Sequence, residues 1–189
     1  MLHVVRHGRT EANARGVLLG RTDPPLSELG RRQARALAEI VPGDARVISS
    51  PLLRARETAE AFGRPIEVDE RWIELDYGTL EGVAPSAVAV EVWRRWRGDP
   101  QFVPGGGESL AALGLRVRDA CMDLAEEARE RDVVVVTHVS PIKAAVAWAL
   151  RVGDLVAWRL FVGDGSVTRI GVERTGLVLR SFNERPLSD

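Results

Sequence analysis

The amino terminus opens on a short apolar run that ends abruptly in polar residues. Residues 2–5 are typical of a buried β-strand, and Arg6, His7 and Gly8 follow directly. Functional groups in open α/β sheets lie just past the carboxyl ends of the strands. Gly8, which has no Cβ, would let the backbone turn and approach a ligand. A guanidinium offers a planar fork of donors that fits phosphate, so Arg6 beside His7 favours an anion site.

A second apolar run ends in the same way. Residues 133–137 contain four consecutive valines, which predicts a central strand buried on both faces, and His138 follows it. The carboxyl ends of parallel strands meet at one edge of a sheet, so His7 and His138 face each other if the two strands are neighbours. His3 lies inside a strand and is expected to be structural.

Strands and helices alternate along the whole chain. Further strands are predicted near residues 45–48, 65–68, 158–161, 167–172 and 176–182. Helices are predicted from Ser27 to about 41, from Ser50-Pro51 to 63, over 108–131, and from Ser140-Pro141 to about 151. At Ser50-Pro51 we expect the serine to be the N-cap and the proline to be the first helical residue. This order predicts an α/β fold, a three-layer sandwich with a mostly parallel central sheet and helices on both faces. A chain of 189 residues suits one domain, 1–189, with a small insertion at about 78–107 that we expect to form a lid over the carboxyl edge.

Two more residues complete the candidate site. Arg54 is predicted in the first turn of a helix, where the helix dipole stabilises acidic residues and anions. An arginine at this position therefore indicates that an anion binds beside it. The alternative is a surface ion pair with Glu57. Glu74 lies in a loop with apolar neighbours, which can keep a carboxyl group protonated and make it a general acid. From position alone, Asp76 and Glu81 are equal candidates for that role.

Composition narrows the class of protein. A net charge of −1 indicates neither nucleic acid nor an anionic membrane surface as partner, and no apolar stretch is long enough for a membrane span. The single cysteine, Cys121, indicates a reducing, cytoplasmic setting. Three histidines and one cysteine without ligand spacing predict no metal site. The glycines at 105–107 precede Glu108-Ser109 and not Lys-Ser/Thr, which favours a loop and helix cap over a phosphate cradle.

Six blocks of sequence, in order along nearly the whole chain, resemble the histidine phosphatase superfamily, the phosphoglycerate mutase-like proteins. The blocks are Arg6-His7-Gly8-x-Thr10-x-x-Asn13, Gly20-x-x-Asp23-x-Pro25-Leu26-Ser27-x-x-Gly30, Ser49-Ser50-Pro51-Leu52-x-Arg54, Glu74-x-x-x-Gly78-x-x-Glu81-Gly82, Gly106-Gly107-Glu108-Ser109 and Thr137-His138. Any one of them is weak, but six in order are specific.

The resemblance implies a role for individual residues. It makes His7 the nucleophile that becomes phosphorylated and Glu74 the proton donor. It assigns the phosphate pocket to Arg6, Arg54 and His138, and further substrate contacts to Asn13, Thr10, Arg21 and Val139. Relatives usually have Gly at position 139, where a positive φ would strain a β-branched residue.

The resemblance also implies two enzyme classes. Mutases of this family resemble longer chains with a larger, basic insertion, whereas residues 78–107 are short and apolar. We therefore predict a phosphatase, independent of metal and cofactor, that hydrolyses small-molecule phosphate esters through a phosphohistidine. The alternative is a cofactor-dependent phosphoglycerate mutase, and a third class is a non-catalytic protein that binds phosphorylated ligands. Trp93 and Trp96 either line the pocket or pack the insertion.

Overall fold

The computed structural model describes residues 1–186, which build one six-stranded sheet. The strands are β1 (Leu2–Arg6), β2 (Arg46–Ser49), β3 (Ile66–Val68), β4 (Val133–Thr137), β5 (Val167–Glu173) and β6 (Gly176–Glu184). They are arranged in the order β3-β2-β4-β1-β5-β6. The pairs among β1 to β4 are parallel, and β5 is antiparallel to both of its neighbours. The prediction of a mostly parallel sheet is confirmed.

Helices cover both faces of this sheet. They are α1 (Glu11–Ala14), α2 (Glu28–Ile40), α3 (Leu53–Glu60), α4 (Val90–Gly98), α5 (Leu110–Glu130) and α6 (Val139–Leu150). Successive residues of a strand point to opposite faces. In β4, Val134 and Val136 therefore pack with α2 and α3, while Val133 and Val135 pack with α5 and α6. The three-layer sandwich is as predicted, and a strand apolar at every position is what its centre requires.

The register of the central strands positions the site. β1 lies beside β4 in parallel, with Arg6 opposite Thr137. The two strands therefore end side by side, and the residues that follow them, His7 and His138, meet at the carboxyl edge. We call the carboxyl ends of β1, β2 and β4 the sheet edge.

The insertion, residues 78–107, contains one α-helix, α4, several short 3₁₀ turns and an aromatic cluster. Trp96 is buried and stacks on Trp93, with ring centroids 5.3 Å apart and an interplanar angle of 11°. Trp158, from a 3₁₀ turn at Asp154–Arg159, packs edge-on against Trp96 at 5.3 Å. The guanidinium of Arg97 lies 5.3 Å from the centre of the Trp93 ring. Trp93 and Trp96 therefore pack the insertion against the body of the protein.

The glycine-rich loop at 104–107 packs against backbone. A Cβ built on Gly105 would lie 2.4 Å from the carbonyl oxygen of Tyr77, and the φ of Gly105 is 59°. The N–H of Glu108 donates to the carbonyl of Asp76 at 2.8 Å, and Ser109 accepts from the N–H of Ala112 as the N-cap of α5. The loop-and-cap interpretation is confirmed.

One predicted strand and two predicted helix starts are wrong. The strand expected at 158–161 is absent, because residues 158 and 159 belong to the 3₁₀ turn that carries Trp158. Helix α3 begins at Leu53, and its first N–H donates to Asp23 at 2.7 Å, so Ser50 is not its cap. Helix α6 begins at Val139, two residues earlier than expected, with His138 as its cap. Within residues 1–186, no helix combines the length and the apolar character needed to cross a bilayer.

Candidate active site

His7 is held in one orientation at the end of β1. Its Nδ1–H donates to the carbonyl oxygen of Gly8 at 2.7 Å, which leaves Nε2 with its lone pair. The side chain is 2% exposed, and burial, together with the positive charges of Arg54 and Arg6, holds the pKa of His7 well below 6.5. A neutral imidazole with a fixed tautomer and an unprotonated Nε2 is the form that can act as a nucleophile.

Gly8 has a structural purpose that differs from the expected one. A Cβ at Gly8 would lie 2.3 Å from the carbonyl oxygen of Gly30, and one at Gly30 would lie 2.1 Å from the carbonyl oxygen of Arg9. The close approach that Gly8 permits is therefore to the start of α2. This contact fixes the loop after β1 against a helix.

Arg54 is the buried cation of the site. It is 0% exposed, and its Nε–H donates to Nε2 of His7 at 3.3 Å. Its two terminal nitrogens donate to the carbonyl oxygens of Thr22 and Gly20, each at 2.8 Å. Burial lowers the pKa of Arg54, but a guanidinium remains charged at neutral pH. The alternative of a surface ion pair with Glu57 is wrong.

The turn that anchors Arg54 is itself held by a carboxylate. Glu81 accepts from the backbone N–H groups of Gly20 at 2.9 Å and Arg21 at 3.1 Å. The side chain of Arg21 donates to the backbone carbonyl of Glu74 at 3.0 Å and lies 3.7 Å from Glu108. Arg21 is therefore already engaged at the rim of the site.

His138 follows β4 and is completely buried. Its ring lies 5.0 Å from that of His7, centroid to centroid, as expected from neighbouring parallel strands. Its Nε2 and the hydroxyl of Ser50 lie 2.7 Å apart, whereas Nδ1 has no hydrogen-bond partner within residues 1–186. Burial lowers the pKa of His138 well below 6.5, and the nearby positive charge of Arg54 lowers it further. The imidazole is therefore neutral here.

Arg6 is fixed from the opposite side by a loop that precedes β5. One terminal nitrogen donates to the carbonyl of Val162 at 2.7 Å, and the other pairs with Asp164 at 2.7 Å. Its Nε is buried and finds no partner in the described part of the chain. The guanidinium of Arg6 therefore keeps one donor, its Nε–H, without a partner in the described part of the chain.

Glu74 lies at the amino terminus of α6 and is 3% exposed. Its Oε1 accepts from the N–H of Leu75 at 2.7 Å and from that of Ser140 at 3.2 Å, while Oε2 has only the longer contact to Ser140, at 3.4 Å. Of the three candidate carboxyls, Asp76 accepts from Gly78 and Glu81 holds the turn at residues 20–22. Only Glu74 combines near-complete burial with a position at the head of α6.

Thr10 and Asn13 form the capping box of α1. The Thr10 hydroxyl accepts from the backbone N–H of Asn13 at 3.1 Å, and the side-chain oxygen of Asn13 accepts from the backbone N–H of Thr10 at 3.0 Å. The Thr-x-x-Asn spacing is thus explained by local structure. Val139 is the first residue of α6, and its φ is not positive, so the expected strain is absent.

Sequence reasoning missed two residues of the site. Ser50 was interpreted as a helix cap, whereas it bonds His138, and Asp164 carried no signal beyond lying in a Gly-Asp-Gly turn. No group of three or more His, Cys, Asp or Glu side chains within residues 1–186 is arranged to hold a metal ion.

This fold and this edge belong to a known class. The chain is a member of the histidine phosphatase superfamily, since the family model for its branch 1 matches residues 2–185. The family resemblance recognised in the sequence is therefore confirmed.

The chain is similar to several named proteins. A bifunctional protein of Mycobacterium tuberculosis is 37% identical over 162 residues, 80% of this chain but only 44% of that protein, so the chain spans less than half of its length. A mutant phosphoserine phosphatase of Entamoeba histolytica, solved with phosphoserine, has a TM-score of 0.89 at 27% identity and covers 97% of this chain and 96% of that one. A mycobacterial glucosyl-3-phosphoglycerate phosphatase, solved with VO3, has a TM-score of 0.86 at 30% identity, over 96% and 98% of the two chains.

Proposed function

We propose that this protein is a metal-independent phosphatase that hydrolyses small phosphomonoesters through a phosphohistidine on His7. The observation that carries the proposal is the state of His7: a neutral imidazole whose Nε2 lone pair lies 3.3 Å from the Nε of a buried arginine, Arg54. A nucleophile beside a fixed cation is the arrangement that phosphoryl transfer needs, because the transition state spreads negative charge over three oxygens.

The first step forms a bond between Nε2 of His7 and phosphorus as the ester P–O bond breaks. The leaving oxygen takes a proton from Glu74, which must be protonated when the ester binds. Oε1 of Glu74 accepts both short backbone hydrogen bonds, so Oε2 is the oxygen that carries the proton in our mechanism.

The second step returns the enzyme to its starting state. A water enters where the alcohol left, Oε2 of Glu74 takes its proton, and the P–N bond to His7 breaks as the new P–O bond forms. When inorganic phosphate dissociates, His7 is neutral and Glu74 is protonated again. The same carboxyl group thus serves as acid in one step and base in the next.

Two buried donors are assigned to the transferring phosphoryl group. Nε of Arg6 and Nδ1 of His138 have no partner within residues 1–186, and buried polar groups without partners are costly. If the hydroxyl of Ser50 donates to Nε2 of His138, the proton of that ring lies on Nδ1, directed at a phosphate oxygen. In this assignment His138 is a neutral donor to the phosphoryl group. The other sequence-based contacts, Thr10, Asn13, Arg21 and Val139, remain predictions.

Phosphatase activity is favoured over mutase activity by the insertion. A mutase must hold a diphosphate while it turns round, so it needs cations that grip the second phosphate. In the insertion, Arg97 lies against the rings of Trp93 and Trp158, and Arg95 lies 4.5 Å from the centre of the Phe102 ring. These arginines are engaged with aromatic faces. The phosphoserine and glucosyl-3-phosphoglycerate phosphatases with the same fold support the same choice.

The test follows both products at once. Phosphorus NMR of 3-phosphoglycerate, with a trace of the 2,3-diphosphate as primer, should show inorganic phosphate and little 2-phosphoglycerate. A panel of other phosphate esters, including a nitrophenyl phosphate, identifies the alcohol. Rapid isomerisation without phosphate release would establish the mutase, and binding without turnover of any ester would establish the non-catalytic alternative.

Independence of metal is part of the proposal, because arginines fill the role that magnesium has elsewhere. Activity should survive an excess of chelator, and vanadate should inhibit by imitating trigonal-bipyramidal phosphorus. A loss of activity on chelation that a divalent ion restores would contradict the proposal.

A cytoplasmic location completes the proposal. The chain has one cysteine, Cys121, which is buried and unpaired, and burial raises the pKa of its thiol. A protein that works with a single unpaired thiol suits a reducing compartment. A fusion of the full chain to a fluorescent protein, imaged in cells, tests this location.

A further inference from the structure

The segment that carries Glu74, residues 71–76, has little regular structure of its own, and we call it the Glu74 loop. A 3₁₀ turn covers Glu70–Trp72, and neither a helix nor a strand follows before the next 3₁₀ turn begins at Gly78. The carbonyl groups of such a loop need partners from elsewhere, because a buried polar group without a hydrogen bond is costly. Glu74 is 3% exposed, so water cannot supply that partner.

Arg116, from α5, supplies two of these partners. Its Nη1 donates to the carbonyl oxygen of Arg71 at 2.6 Å, and its Nη2 donates to that of Glu74 at the longer distance of 3.4 Å. Nε and Nη2 also donate to the two carboxylate oxygens of Glu108, at 2.8 Å and 2.9 Å. The side chains of Glu108 and Arg116 are only 15% and 18% exposed. One guanidinium thus joins the Glu74 loop to a carboxylate in a fixed, bidentate geometry.

Glu108 and Arg21 hold the same loop from two further directions. The backbone N–H of Glu108 donates to the carbonyl oxygen of Asp76 at 2.8 Å. The Nε–H of Arg21 donates to the carbonyl oxygen of Glu74 at 3.0 Å, and its Nη2 lies 3.7 Å from the carboxylate of Glu108. The backbone carbonyl of Glu74 is therefore shared by two guanidinium groups, and Glu108 balances their charge.

The two arginines bind the main chain of Glu74 and not its carboxyl group. Within residues 1–186, that carboxyl group accepts only from the N–H groups of Leu75 and Ser140. An arginine that pairs with a carboxyl group stabilises the ionised form, whereas the proposed mechanism needs a protonated Glu74 when the ester binds. The arrangement therefore fixes the position of the carboxyl group without placing a cation against it.

We propose that Arg116 is a positioning residue for Glu74: together with Glu108, it holds the Glu74 loop so that the carboxyl group meets the leaving oxygen of the ester. This inference rests on the proposed phosphatase function and adds a residue to it. Arg116 contacts neither the ester nor the phosphoryl group in this mechanism. Its loss should therefore slow the step that needs a proton, since a displacement of about 1 Å can cost a reaction about 10²-fold in rate.

The experiment compares two esters that differ in one group. The phenoxide of phenyl phosphate leaves poorly without a proton, whereas a nitrophenyl phosphate has a good leaving group. In Arg116→Met, single-turnover measurement of the phosphorylation step should show a loss of about tenfold on phenyl phosphate and of less than about threefold on the nitrophenyl ester. The matched control is Arg118→Met, which removes an arginine of the same helix from its pair with Asp154 at 2.7 Å. It should change neither rate by more than about twofold.

Two further variants test whether Arg116 acts through Glu74. Once Glu74→Gln has removed the acid, the addition of Arg116→Met should cost less than about twofold more on phenyl phosphate, because the two changes act on one step. Arg116→Lys keeps the charge but lacks the planar set of donors, so this milder variant should show the same difference between the esters even if Arg116→Met does not fold. Equal losses on the two esters, or an undiminished loss in the Glu74→Gln background, would overturn the inference.

The amide of Ser140 reports on the Glu74 carboxyl group without any turnover. Ser140 lies in the first turn of α6, where an N–H has no partner within the helix, and its N–H donates to Glu74. Hydrogen exchange of this amide, measured by NMR, should be at least about tenfold faster in Arg116→Met and unchanged in Arg118→Met. Unchanged exchange in Arg116→Met would overturn the inference. If the unaltered protein released phosphate from no ester while this exchange responded as expected, the phosphatase proposal would fail and the positioning of Glu74 would stand.

Discussion

The sheet edge and the insertion hold their arginines in opposite ways. At the edge, Arg54 is fully buried and is fixed by backbone carbonyls and by His7. In the insertion, Arg97 is exposed, and its guanidinium lies 5.3 Å and 5.8 Å from the centres of the Trp93 and Trp158 rings. The first arginine has its position dictated by several hydrogen bonds, and the second covers an apolar surface.

The difference shows where precision is needed in this protein. Fixed donors around His7, the proposed nucleophile, would already be oriented for charge that develops in a transition state, so they would cost no reorganisation. An aromatic cluster needs only area and shape to exclude water. We therefore expect changes at the sheet edge to act on catalysis and changes in the insertion to act mainly on stability.

The largest effect is expected for Arg54→Met. Loss of the buried cation beside His7 should lower kcat/KM by about 10³-fold, the upper range for removal of one fixed transition-state donor. The matched control is Arg56→Met, an exposed arginine of the same helix, which should change kcat/KM by less than about twofold. Steady-state kinetics with one ester, after a check of folding by circular dichroism, compares them. Equal kcat/KM values in the two variants would show that Arg54 does not stabilise the transferring phosphoryl group.

Glu74→Gln should have the next largest effect, and it depends on the leaving group. An alkyl phosphate needs its leaving oxygen protonated, so kcat/KM should fall by about 10²-fold or more, whereas a nitrophenyl phosphate, with its good leaving group, should lose less than about tenfold. Asp76→Asn is the control. Pre-steady-state measurement of the phosphorylation step isolates the effect. Equal losses on both esters would indicate a binding role, and a larger effect of Asp76→Asn would transfer the role to that carboxyl.

The sheet edge should also set how stability depends on pH. Burial holds the pKa values of His7 and His138 well below 6.5, and it lowers that of His3 as well. Below pH 6.5 the unfolded chain therefore binds more protons than the folded one, and the free energy of unfolding falls by about 1.4 kcal/mol per pH unit for each such histidine. This stability is fully present above pH 6.5 and is lost as the pH falls toward the folded pKa values.

Urea denaturation between pH 7.5 and 5 measures this slope. His138→Gln should reduce this slope by about 1.4 kcal/mol per pH unit, the contribution of one bound proton, relative to the unaltered protein. Acidic groups whose pKa is lowered in the folded state, such as Glu67 and Asp69, lose their contribution only at more acidic pH. A free energy of unfolding that stays constant from pH 6.5 to 5 would mean that these imidazoles are not buried in their neutral form.

The smallest effect is expected in the insertion. Arg97→Met should cost about 0.5–1 kcal/mol of stability, as expected for a cation at an exposed aromatic face, and change kcat/KM by less than about threefold. Arg94→Met, an exposed arginine of the same helix, is the control. Thermal unfolding and steady-state kinetics are sufficient. A fall of kcat/KM by more than tenfold in Arg97→Met alone would mean that the insertion grips the substrate, as a mutase requires.

The sequence predicted the sheet edge well, because burial and chemistry coincide there. Runs of β-branched residues end at His7 and His138, and the rule that parallel strands end together is geometric. The exact helix starts were wrong because serines at strand ends have more than one use. Ser50 looks like a helix cap, but its hydroxyl bonds His138, which lies 88 residues away in the chain. Local propensity contains no information about such a partner.

The insertion was harder to predict for a related reason. Whether Trp93 and Trp96 line a pocket or pack the insertion depends on Trp158, which lies far along the chain and was expected in a strand. Asp164, the partner of Arg6, lies in a short turn that has no distinctive pattern. Long-range pairs of this kind become visible only when the tertiary structure brings them together.

The central claim is that His7 carries the phosphoryl group. Wild-type protein mixed with a ³²P-labelled ester and quenched within milliseconds should contain an acid-labile, base-stable label, and mass spectrometry under alkaline conditions should locate it on the peptide that includes His7. The His7→Ala variant should contain no label and should have lost essentially all turnover. A label on another residue, or full turnover in His7→Ala, would contradict the account.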